Sequence, residues 1–352
     1  MARRGQKSGL LRKILIVLAI GAAIGLYFGY EAYHALYGSN VDLKNRKEAF
    51  VYIRSDDTFP QVMEQLKNSG YIENFETFEF IATRKKYERS VKPGKYRLIP
   101  GMSNNQVINM LRSGDQVPVR VKLNKEDNLA QIAGAIGSQL EADSTRLIAL
   151  LTNPDTAAFY GFKPETFIAM FVPNTYEFYW ATTPRKVLGR FADEYKKVWT
   201  PKRLEKAKEL DMNPDEVTTL ASIVAKETAK NSESRRIAGV YMNRLKTGIP
   251  LQADPTLRFA ANDPTIQRVL NIHKAVDSPY NTYLHKGLPP GPIGMATAGF
   301  LDAVLDYEHH NYLYFCARED FSGFSNFAVS YEQHQQNARR YQRALTERGI
   351  MN

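Results

Sequence analysis

The pattern of apolar and polar positions begins with one long apolar run. Residues 14–30 (ILIVLAIGAAIGLYFGY) contain no charge and no proline. This run is at the short end of what crosses a hydrocarbon core of roughly 30 Å. It extends to residue 37 if Glu31 lies at the membrane interface among Tyr27, Tyr30, Tyr33 and Tyr37, which is typical of an aromatic belt. The pattern predicts a transmembrane anchor over residues 14–37.

The residues that flank this run indicate its orientation. The first thirteen residues contain no acid, and their basic residues are Arg3, Arg4, Lys7, Arg12 and Lys13. The positive-inside rule therefore places the tail 1–13 in the cytoplasm and the rest of the chain outside. The alternative is a cleaved signal peptide, but no Ala-x-Ala site follows the run and no cysteine follows it to receive a lipid. An uncleaved anchor is favoured.

A small αβ module is predicted next. Residues 38–47 are polar and predict a linker. Beyond them the pattern predicts a strand (50–53), a helix that opens near Pro60 and closes at Gly70, a second helix (75–86), a return strand (95–98) and a third helix (104–112). A module of this size, over residues 48–116, suits binding or spacing better than a deep active site.

The remaining residues, 117–352, predict a larger mixed domain. Residues 117–123 alternate as a strand does, and helical periodicity covers roughly 127–141, 144–152, 184–210, 214–229, 233–246 and 331–348. A further apolar strand is predicted over 312–317, with Cys316 as a small buried hydrophobe. The fold class is therefore α+β, with one transmembrane helix, a small module and a larger domain.

Composition and charge exclude several classes of protein. An apolar fraction of 43% and a charged fraction of 24% are typical of globular proteins. Five of the ten net positive charges lie in the first thirteen residues, which leaves a net of +5 (10 − 5) for the rest of the chain. Without a basic run or zinc-finger spacing, this excess does not indicate a nucleic-acid partner. A single cysteine excludes an internal disulfide framework and a CxxC site.

The strongest candidate for chemistry is Glu227. On a helix, Leu220, Ile223, Val224 and Glu227 lie on one face, which is otherwise apolar. Apolar neighbours disfavour the charged form of a carboxyl group, so its pKa rises, as a general acid for glycoside cleavage requires. The alternative is structural: Glu227 pairs with one of the arginines 235, 236 or 244 and joins two helices.

Polar loops beyond this helix offer candidate binding residues. A second helix is predicted to start with Asn231 or Ser232 as its N-cap and Glu233 in its first turn, where an acid can be merely structural. The loop 248–256 carries Gln252 and Asp254, and the loop 278–283 carries Asn281 and Tyr283. With 287–294, these loops suit a groove for sugars, although they could be scaffolding alone.

Other chemistries find little support in the sequence. It contains no HExxH, GxSxG, Walker or Ser-x-x-Lys motif. The cluster at 306–310 (DYEHH) has two adjacent histidines, which do not share a helix or strand face. We therefore expect neither a metal nor a cofactor.

Four motifs, which follow one another along the chain, resemble those of a known family. They are LASIVAKET (220–228), YMNRLKTGIPLQADPT (241–256), YNTY (280–283) and GLPPGPI (287–293). Together they resemble the endolytic murein transglycosylases of the MltG (YceG-like) type, from about residue 48 to the end. The resemblance implies a LysM-like glycan-binding module at 48–116 and a YceG-like catalytic domain at 117–352. It also implies that Glu227 is the general acid/base. We expect Glu233, Gln252, Asp254, Asn281 and Tyr283 to contact the substrate.

Two positions depart from the family pattern. Many members have an additional Glu two residues before the catalytic one, where this chain has Ala225. This difference favours Glu227 as the essential carboxylate. Relatives often have a His at the position of Ser325, which puts in doubt a catalytic role for that position here.

The resemblance implies a membrane-bound lyase of the bacterial cell wall. The expected reaction cleaves the bond between N-acetylmuramic acid and N-acetylglucosamine without water and leaves 1,6-anhydro ends. Expected partners are glycan strands, the cytoplasmic membrane and cell-wall synthases or division proteins, with no nucleic acid. Two alternatives stay open: an anchored glycan-binding scaffold without activity, and a hydrolase that uses Asp254 or Glu233 as a second carboxylate.

Overall fold

The computed structural model describes residues 5–124, 128–228, 230–261 and 271–349. The chain divides into two compact units, Met1–Val119 with Glu177–Thr182, and Arg120–Tyr176 with Thr183–Asn352. Each unit contains helices, and the sheets are two-stranded. The expectation of a mixed helix-and-strand fold is confirmed.

The first unit contains the long N-terminal helix and the predicted small module. Its elements are α1 (Gly5–Tyr37), β1 (Ala49–Ile53), α2 (Phe59–Ser69), α3 (Phe75–Arg84), a 3₁₀ turn (Tyr87–Arg89), β2 (Gly94–Leu98) and α4 (Asn104–Ser113). The helices and strands of the module agree closely with the expected ones, because the sequence contains residues that cap the starts and ends of these helices. Ser103 caps α4 and Gly70 ends α2 in a left-handed conformation.

Helix α1 has the length and composition of a membrane span. Its segment Leu11–Tyr37 has a mean hydropathy of 2.0, and none of its most apolar stretch is buried inside the protein. These properties are compatible with a single-pass anchor. The predicted basic tail lies partly outside the described residues, since Arg3 and Arg4 are not among them. At the other end of α1, Asn104 Nδ2 donates a hydrogen bond of 2.9 Å to the Ala35 carbonyl oxygen.

The core of the module lies between its sheet and its helices. Strands β1 and β2 pair antiparallel with Val51 opposite Tyr96. Alternate strand residues are buried, as a sheet with one covered face requires, and they pack against Leu66, Phe78 and Leu111 from the three helices.

Residues 38–47 do not form a free linker, contrary to the expectation. Val41 and Leu43 are 3% and 1% exposed and belong to the module core. Val41 also forms an antiparallel bridge with Ile72. The prediction was wrong because the polar average of the segment hides two apolar residues that the module buries.

The second unit is mostly helical. Its helices are α5 (Leu129–Gly137), α6 (Ser144–Leu151), α7 (Pro154–Phe159), α8 (Pro184–Val198), α9 (Pro201–Glu209), α10 (Pro214–Glu227), α11 (Asn231–Thr247), α12 (Asp254–Ala261), α13 (Ala298–Leu305) and α14 (Tyr331–Glu347). Its 3₁₀ turns are Phe167–Met170 and Asn271–Ala275, and strands β5 (Tyr314–Ala317) and β6 (Ser325–Ala328) pair antiparallel. Strands β3 (Val119–Lys122) and β4 (Thr175–Phe178) each contain residues of both units.

Helix α10 is the central element of this unit. It packs against α11 and α13, and Val217 to Ala225 are all buried. The helix is therefore covered on more than the single apolar face that its sequence predicts. Because α10 is buried to this extent, its C-terminal end, which carries Glu227, is held in place.

Three helix predictions need correction. The helix expected over 184–210 is two helices, α8 and α9, because Pro201 has no backbone N–H and disfavours helical geometry in the residue before it. Helices α7, α12 and α13 were not expected. The helix expected from residue 127 begins at Leu129 with Asn128 as its N-cap, and residue 127 itself lies outside the described residues.

Candidate active site

A cavity of about 280 Å³ lies at the C-terminal end of α10. Its lining comes from α10, α11, the loop before α12, the 278–283 loop, β5 and α14. The lining residues are Glu227, Tyr241, Arg244, Leu251, Gln252, Asp254, Tyr283, Leu313, Tyr314, Phe315, Tyr331 and His334. Four of the residues predicted from the sequence therefore meet in one place.

The local sequence of α10 fixes where Glu227 lies. Pro214 occupies the first turn, and Asn213 and Glu216 form a reciprocal capping box at the N-terminus. The helix ends at Glu227, and the next residue, Thr228, has extended backbone. Glu227 is half-buried, so its carboxyl group is shielded by protein and still meets the cavity.

The electrostatic environment keeps Glu227 protonated near neutral pH. Burial raises its pKa to about 7, and the negative charge of Asp254 acts in the same direction. The hydrogen bond from Tyr241 and the charge of Arg258 lower the pKa and limit the rise. A carboxyl group with this pKa can donate a proton and take one back near neutral pH.

Tyr241 holds the carboxyl group in place. Its hydroxyl donates a hydrogen bond of 2.7 Å to Glu227 Oε1. Burial raises the pKa of Tyr241 well above its usual value, so the hydroxyl keeps its proton and stays a donor. Because one carboxyl oxygen is engaged, Oε2 is the oxygen available for proton transfer.

The three arginines considered as partners of Glu227 bind elsewhere. Arg235 lies 3.9 Å from Asp306, and Arg236 Nε lies 2.9 Å from Glu308 Oε1. Arg244 binds backbone carbonyls. The structural alternative for Glu227, an ion pair with one of these arginines, is therefore not what the structure shows.

Arg244 organises the cavity wall. It is 6% exposed, and its Nη1 donates to the carbonyls of Pro250 and Leu251 at 3.0 and 2.9 Å and to Gln252 Oε1 at 3.3 Å. Its Nε donates to the Leu313 carbonyl at 2.7 Å. One guanidinium thus ties the loop before α12 to the chain entering β5. Gln252 has a φ of 52°, a left-handed conformation that costs energy for a side chain with Cβ.

Asp254 and Tyr283 form a second polar pair in the cavity. The Tyr283 hydroxyl donates a hydrogen bond of 2.6 Å to Asp254 Oδ1. Burial, followed by this bond, raises the pKa of Tyr283. Asp254 opens α12 and is exposed. The pair places the Asp254 side chain close enough to Glu227 to raise the pKa of Glu227.

Asn281, which we expected to bind substrate, does not line the cavity. It is 0% exposed, and its amide donates to the carbonyls of Lys274 and Val276 at 3.0 and 2.8 Å. Its Oδ1 accepts from the Tyr283 backbone N–H at 3.0 Å. Asn281 therefore positions the loop that carries Tyr283.

Glu233 does not line the cavity either. It is 4% exposed, and its Oε1 accepts a hydrogen bond of 3.0 Å from the Ser325 backbone N–H in β6. The N-cap of α11 is Lys230, without a side-chain cap bond, rather than Asn231 or Ser232 as expected. Glu233 thus joins α11 to the β5–β6 hairpin.

The residues 306–310 have structural partners. Glu308 pairs with Arg236, and Lys206 Nζ donates to Asp306. The His310 backbone carbonyl accepts from Asn243 Nδ2 at 2.7 Å. Within the part of the chain that the structure describes, no group of three or more His, Cys, Asp and Glu side chains could hold a metal ion.

Among the cavity residues that sequence reasoning missed are Tyr241, Tyr314, Tyr331 and His334. Tyr241 and Arg244 are three residues apart on α11 and so share one helix face, which is a signal that the sequence does contain. The other three come from β5 and α14, distant in sequence from Glu227, and no local pattern marks them.

A larger cavity, of about 720 Å³, lies at the opposite end of α10. It includes Asp215, whose pKa is raised by burial, and Leu288 to Pro290 from the predicted 287–294 loop. That loop therefore lines a cleft other than the one at Glu227. Helix α10 spans 14 residues, so the two cavities are separated by roughly 20 Å of helix.

The comparison with known proteins decides the family. The model of the YceG-like family matches residues 51–340. The chain belongs to the YceG-like family. The resemblance seen in the sequence is thereby confirmed. This family member is 26% identical to an endolytic murein transglycosylase of Bacillus subtilis (strain 168), over 87% of this chain and 89% of that protein.

Two further relatives extend the comparison. An endolytic murein transglycosylase of Streptococcus pneumoniae serotype 2 (strain D39) is 28% identical over 92% of this chain, which spans only 63% of that protein. A crystal structure of a yceG-like protein from Listeria monocytogenes superimposes with a TM-score of 0.57 at 25% identity. It covers 82% of this chain and 98% of its own.

Proposed function

We propose that this YceG-like protein is an endolytic lytic transglycosylase of peptidoglycan, with Glu227 as its general acid and then its base. The observation that carries the proposal is the position of Glu227 in a cavity that Asp254 also lines, where burial raises the pKa of Glu227 to about 7. Curated relatives with the same name, endolytic murein transglycosylase, support the substrate class.

The first step breaks the glycosidic bond. Protonated Glu227 donates its proton from Oε2 to the oxygen between the C1 atom of N-acetylmuramic acid and the N-acetylglucosamine that leaves. The C1–O bond breaks with its electron pair on the leaving oxygen, and positive charge develops at C1. Glu227 is left as a carboxylate, which the Tyr241 hydroxyl stabilises through its bond to Oε1.

The second step closes a ring within the same sugar. The C6 hydroxyl of the muramic acid attacks C1, and the Glu227 carboxylate takes its proton. A C1–O6 bond forms, no water is consumed, and the product has a 1,6-anhydro end. An intramolecular nucleophile has an effective molarity on the order of 10⁵ M or more in favourable cases, so a second catalytic carboxylate is not required to activate water.

Asp254 and Tyr283 have a supporting role in this mechanism. The Asp254 side chain stabilises positive charge at C1, and before the reaction it raises the pKa of Glu227. Gln252 is exposed on the cavity wall, where its amide is available to the strand.

A hydrolase is the second candidate, because Asp254 lines the same cavity as Glu227. In that mechanism Asp254 acts as the nucleophile or activates water. Glu233 is a weaker choice for the second carboxylate, since it is buried and bonded to Ser325.

Mass spectrometry of the products separates these functions. Purified glycan strands are incubated with the full-length chain in detergent. The lytic mechanism gives new ends that are lighter by one water than the ends that hydrolysis gives. Glu227→Gln is expected to lower the rate at least about a thousandfold while the protein stays folded, because the side chain serves as both acid and base. Glu205→Gln, an exposed glutamate on α9, is the matched control.

Products with the mass that hydrolysis gives would show that the protein is a hydrolase and not a lytic enzyme. Wild-type-like rates in Glu227→Gln would remove Glu227 from the mechanism. If the wild-type chain binds strands and releases no new ends, it is an anchored glycan-binding scaffold.

We further propose that α1 anchors the protein in the bacterial cytoplasmic membrane, with the N-terminus inside and residues 38–352 outside. The length and hydropathy of α1 and the basic residues before it support this orientation. In this arrangement the 48–116 module is a LysM-like domain that holds glycan strands, and cell-wall synthases or division proteins are the expected partners. Protease added outside intact spheroplasts should digest residues beyond 37 only if this orientation is correct.

A further inference from the structure

His334 lines the Glu227 cavity, and the proposed mechanism does not use it. It belongs to α14, a helix that contacts β5. Its Nδ1 atom is buried, and among the described residues it has no hydrogen-bond partner. Buried polar atoms are almost always paired, so an unpaired one in a cavity wall calls for a physical explanation.

The plane of the His334 ring is held by aromatic neighbours. The ring stacks on Tyr314 with centroids 5.3 Å apart and an angle of 22° between planes. Tyr331 lies 6.3 Å away on the same helix. The Arg244 guanidinium lies 5.0 Å from the Tyr314 ring centroid. The imidazole is therefore part of an ordered stack and keeps one orientation.

This environment also determines the tautomer. Burial, followed by the charge of Arg244, lowers the pKa of His334, so the ring is neutral at pH 7 and carries one N–H. A proton on Nδ1 would bury an N–H group without an acceptor, which costs more than an unpaired lone pair. The proton therefore lies on Nε2, which is then the ring atom able to donate to a ligand.

We propose that His334 binds the glycan strand directly, donating a hydrogen bond from Nε2–H to an acceptor oxygen of the sugar in the Glu227 cavity. Tyr314 and Tyr331 supply the apolar surface against which the sugar ring packs. The inference rests on the proposed function, because the named ligand is the glycan of that reaction. If His334 binds the strand, α14 forms one wall of the binding site.

The test compares three substitutions that differ in where they place a donor. Glutamine places an amide N–H near the position of Nε2, whereas asparagine places one near Nδ1, and alanine places none. The variants His334→Gln, His334→Asn and His334→Ala are made in full-length Glu227→Gln, so that bound strands are not cleaved. Calorimetry with glycan strands free of stem peptides gives the Kd of each. Gln336→Ala, an exposed position on α14, is the control.

We expect His334→Ala and His334→Asn to raise the Kd about fivefold to tenfold, and His334→Gln to stay within about twofold of the parent. Equal Kd values in all variants would overturn the inference and leave His334 a packing residue. Retention in the asparagine variant with loss in the glutamine variant would also overturn it, since Nδ1 would then be the donor.

The proposed function is tested by a different measurement, the release of anhydro ends by the wild-type chain. A wild-type chain that releases no anhydro ends removes the lytic activity, whereas the pattern of Kd values still decides the role of His334. Thermal unfolding of each variant shows whether the fold is retained, and the glutamine variant preserves the volume and polarity of the site if alanine does not fold.

Discussion

The Tyr241 hydroxyl donates a hydrogen bond of 2.7 Å to Oε1 of Glu227, and the two residues belong to consecutive helices. This bond opposes the effect of burial. Burial favours the protonated carboxyl group, whereas the donor favours the carboxylate, and the pKa of about 7 is the balance of these effects with the charges of Asp254 and Arg258. An acid that must also act as a base near neutral pH benefits from such a balance.

Replacing Tyr241 with phenylalanine should shift the alkaline limb of the pH–rate profile to higher pH. The lost hydrogen bond lowered the pKa of Glu227, so without it the acid form persists to higher pH, by about half to one pH unit. The rate at the optimum should fall about tenfold, because the carboxylate loses its donor. Release of anhydro ends between pH 5 and 9 measures both effects.

Tyr307→Phe is the control for this change, since its hydroxyl accepts from Lys246 outside the cavity lining. A limb that stays in place, or moves to lower pH, would show that Tyr241 does not set the pKa of Glu227.

Replacing Asp254 with asparagine should shift the alkaline limb of the pH–rate profile to lower pH. The charge of Asp254 raises the pKa of Glu227, so its removal lowers that pKa and the acid form is lost at lower pH. The rate should fall about tenfold to a hundredfold, because positive charge at C1 loses a stabilising carboxylate. The products should still be anhydro ends. A complete loss of turnover, with hydrolytic products in the wild type, would contradict the lytic mechanism.

The sequence could predict Glu227 because its evidence is local. Four residues at helical spacing placed it on an apolar face, and the capping residues of α10 fixed the helix that carries it. The elements of the small module were predictable for the same reason. Each helix start has its own cap, and each strand alternates.

Contacts between distant segments could not be predicted in this way. Tyr241 bonds to Glu227 across a helix junction, and His334 reaches the cavity from the last helix. The hydrogen bonds of Asn281 could not be predicted either. Its residue type suits either a sugar or a loop backbone, and only the fold shows that its amide binds carbonyls. Val41 and Leu43 are buried by a module whose packing the polar average of their segment does not reveal.

Replacing Arg244 with lysine should destabilise the second unit. The guanidinium donates to three backbone carbonyls from two segments, and an ammonium group cannot reproduce that planar geometry. Buried carbonyls left without donors cost about 1–3 kcal/mol each, so we expect a loss of about 2–4 kcal/mol in the free energy of unfolding. Denaturant titration by circular dichroism measures it. Arg190→Lys, a more exposed helix-surface residue, should change stability by less than about 0.5 kcal/mol. Equal effects in the two variants would mean that Arg244 does not organise the wall.

Glu227 should also make stability depend on pH in a defined window. Its pKa is about 7 in the folded chain and near the ordinary value of 4.5 in the unfolded chain. Between these values the folded state holds more protons than the unfolded state, so the free energy of unfolding falls as pH rises from about 4.5 to about 7. This is opposite to the usual behaviour of a salt-bridged carboxylate.

Glu227→Gln has no such titration and keeps an acceptor oxygen for Tyr241. Relative to that variant, the wild-type chain should therefore lose about 1–3 kcal/mol of stability between pH 4.5 and pH 8, a range that allows for the partial exposure of the residue. Other groups that titrate in this window cancel in the comparison. Urea unfolding of both proteins at pH 4.5, 6 and 8 tests the prediction. A stability difference that is constant with pH, or one that moves in favour of the wild type as pH rises, would mean that Glu227 is not held protonated by its surroundings.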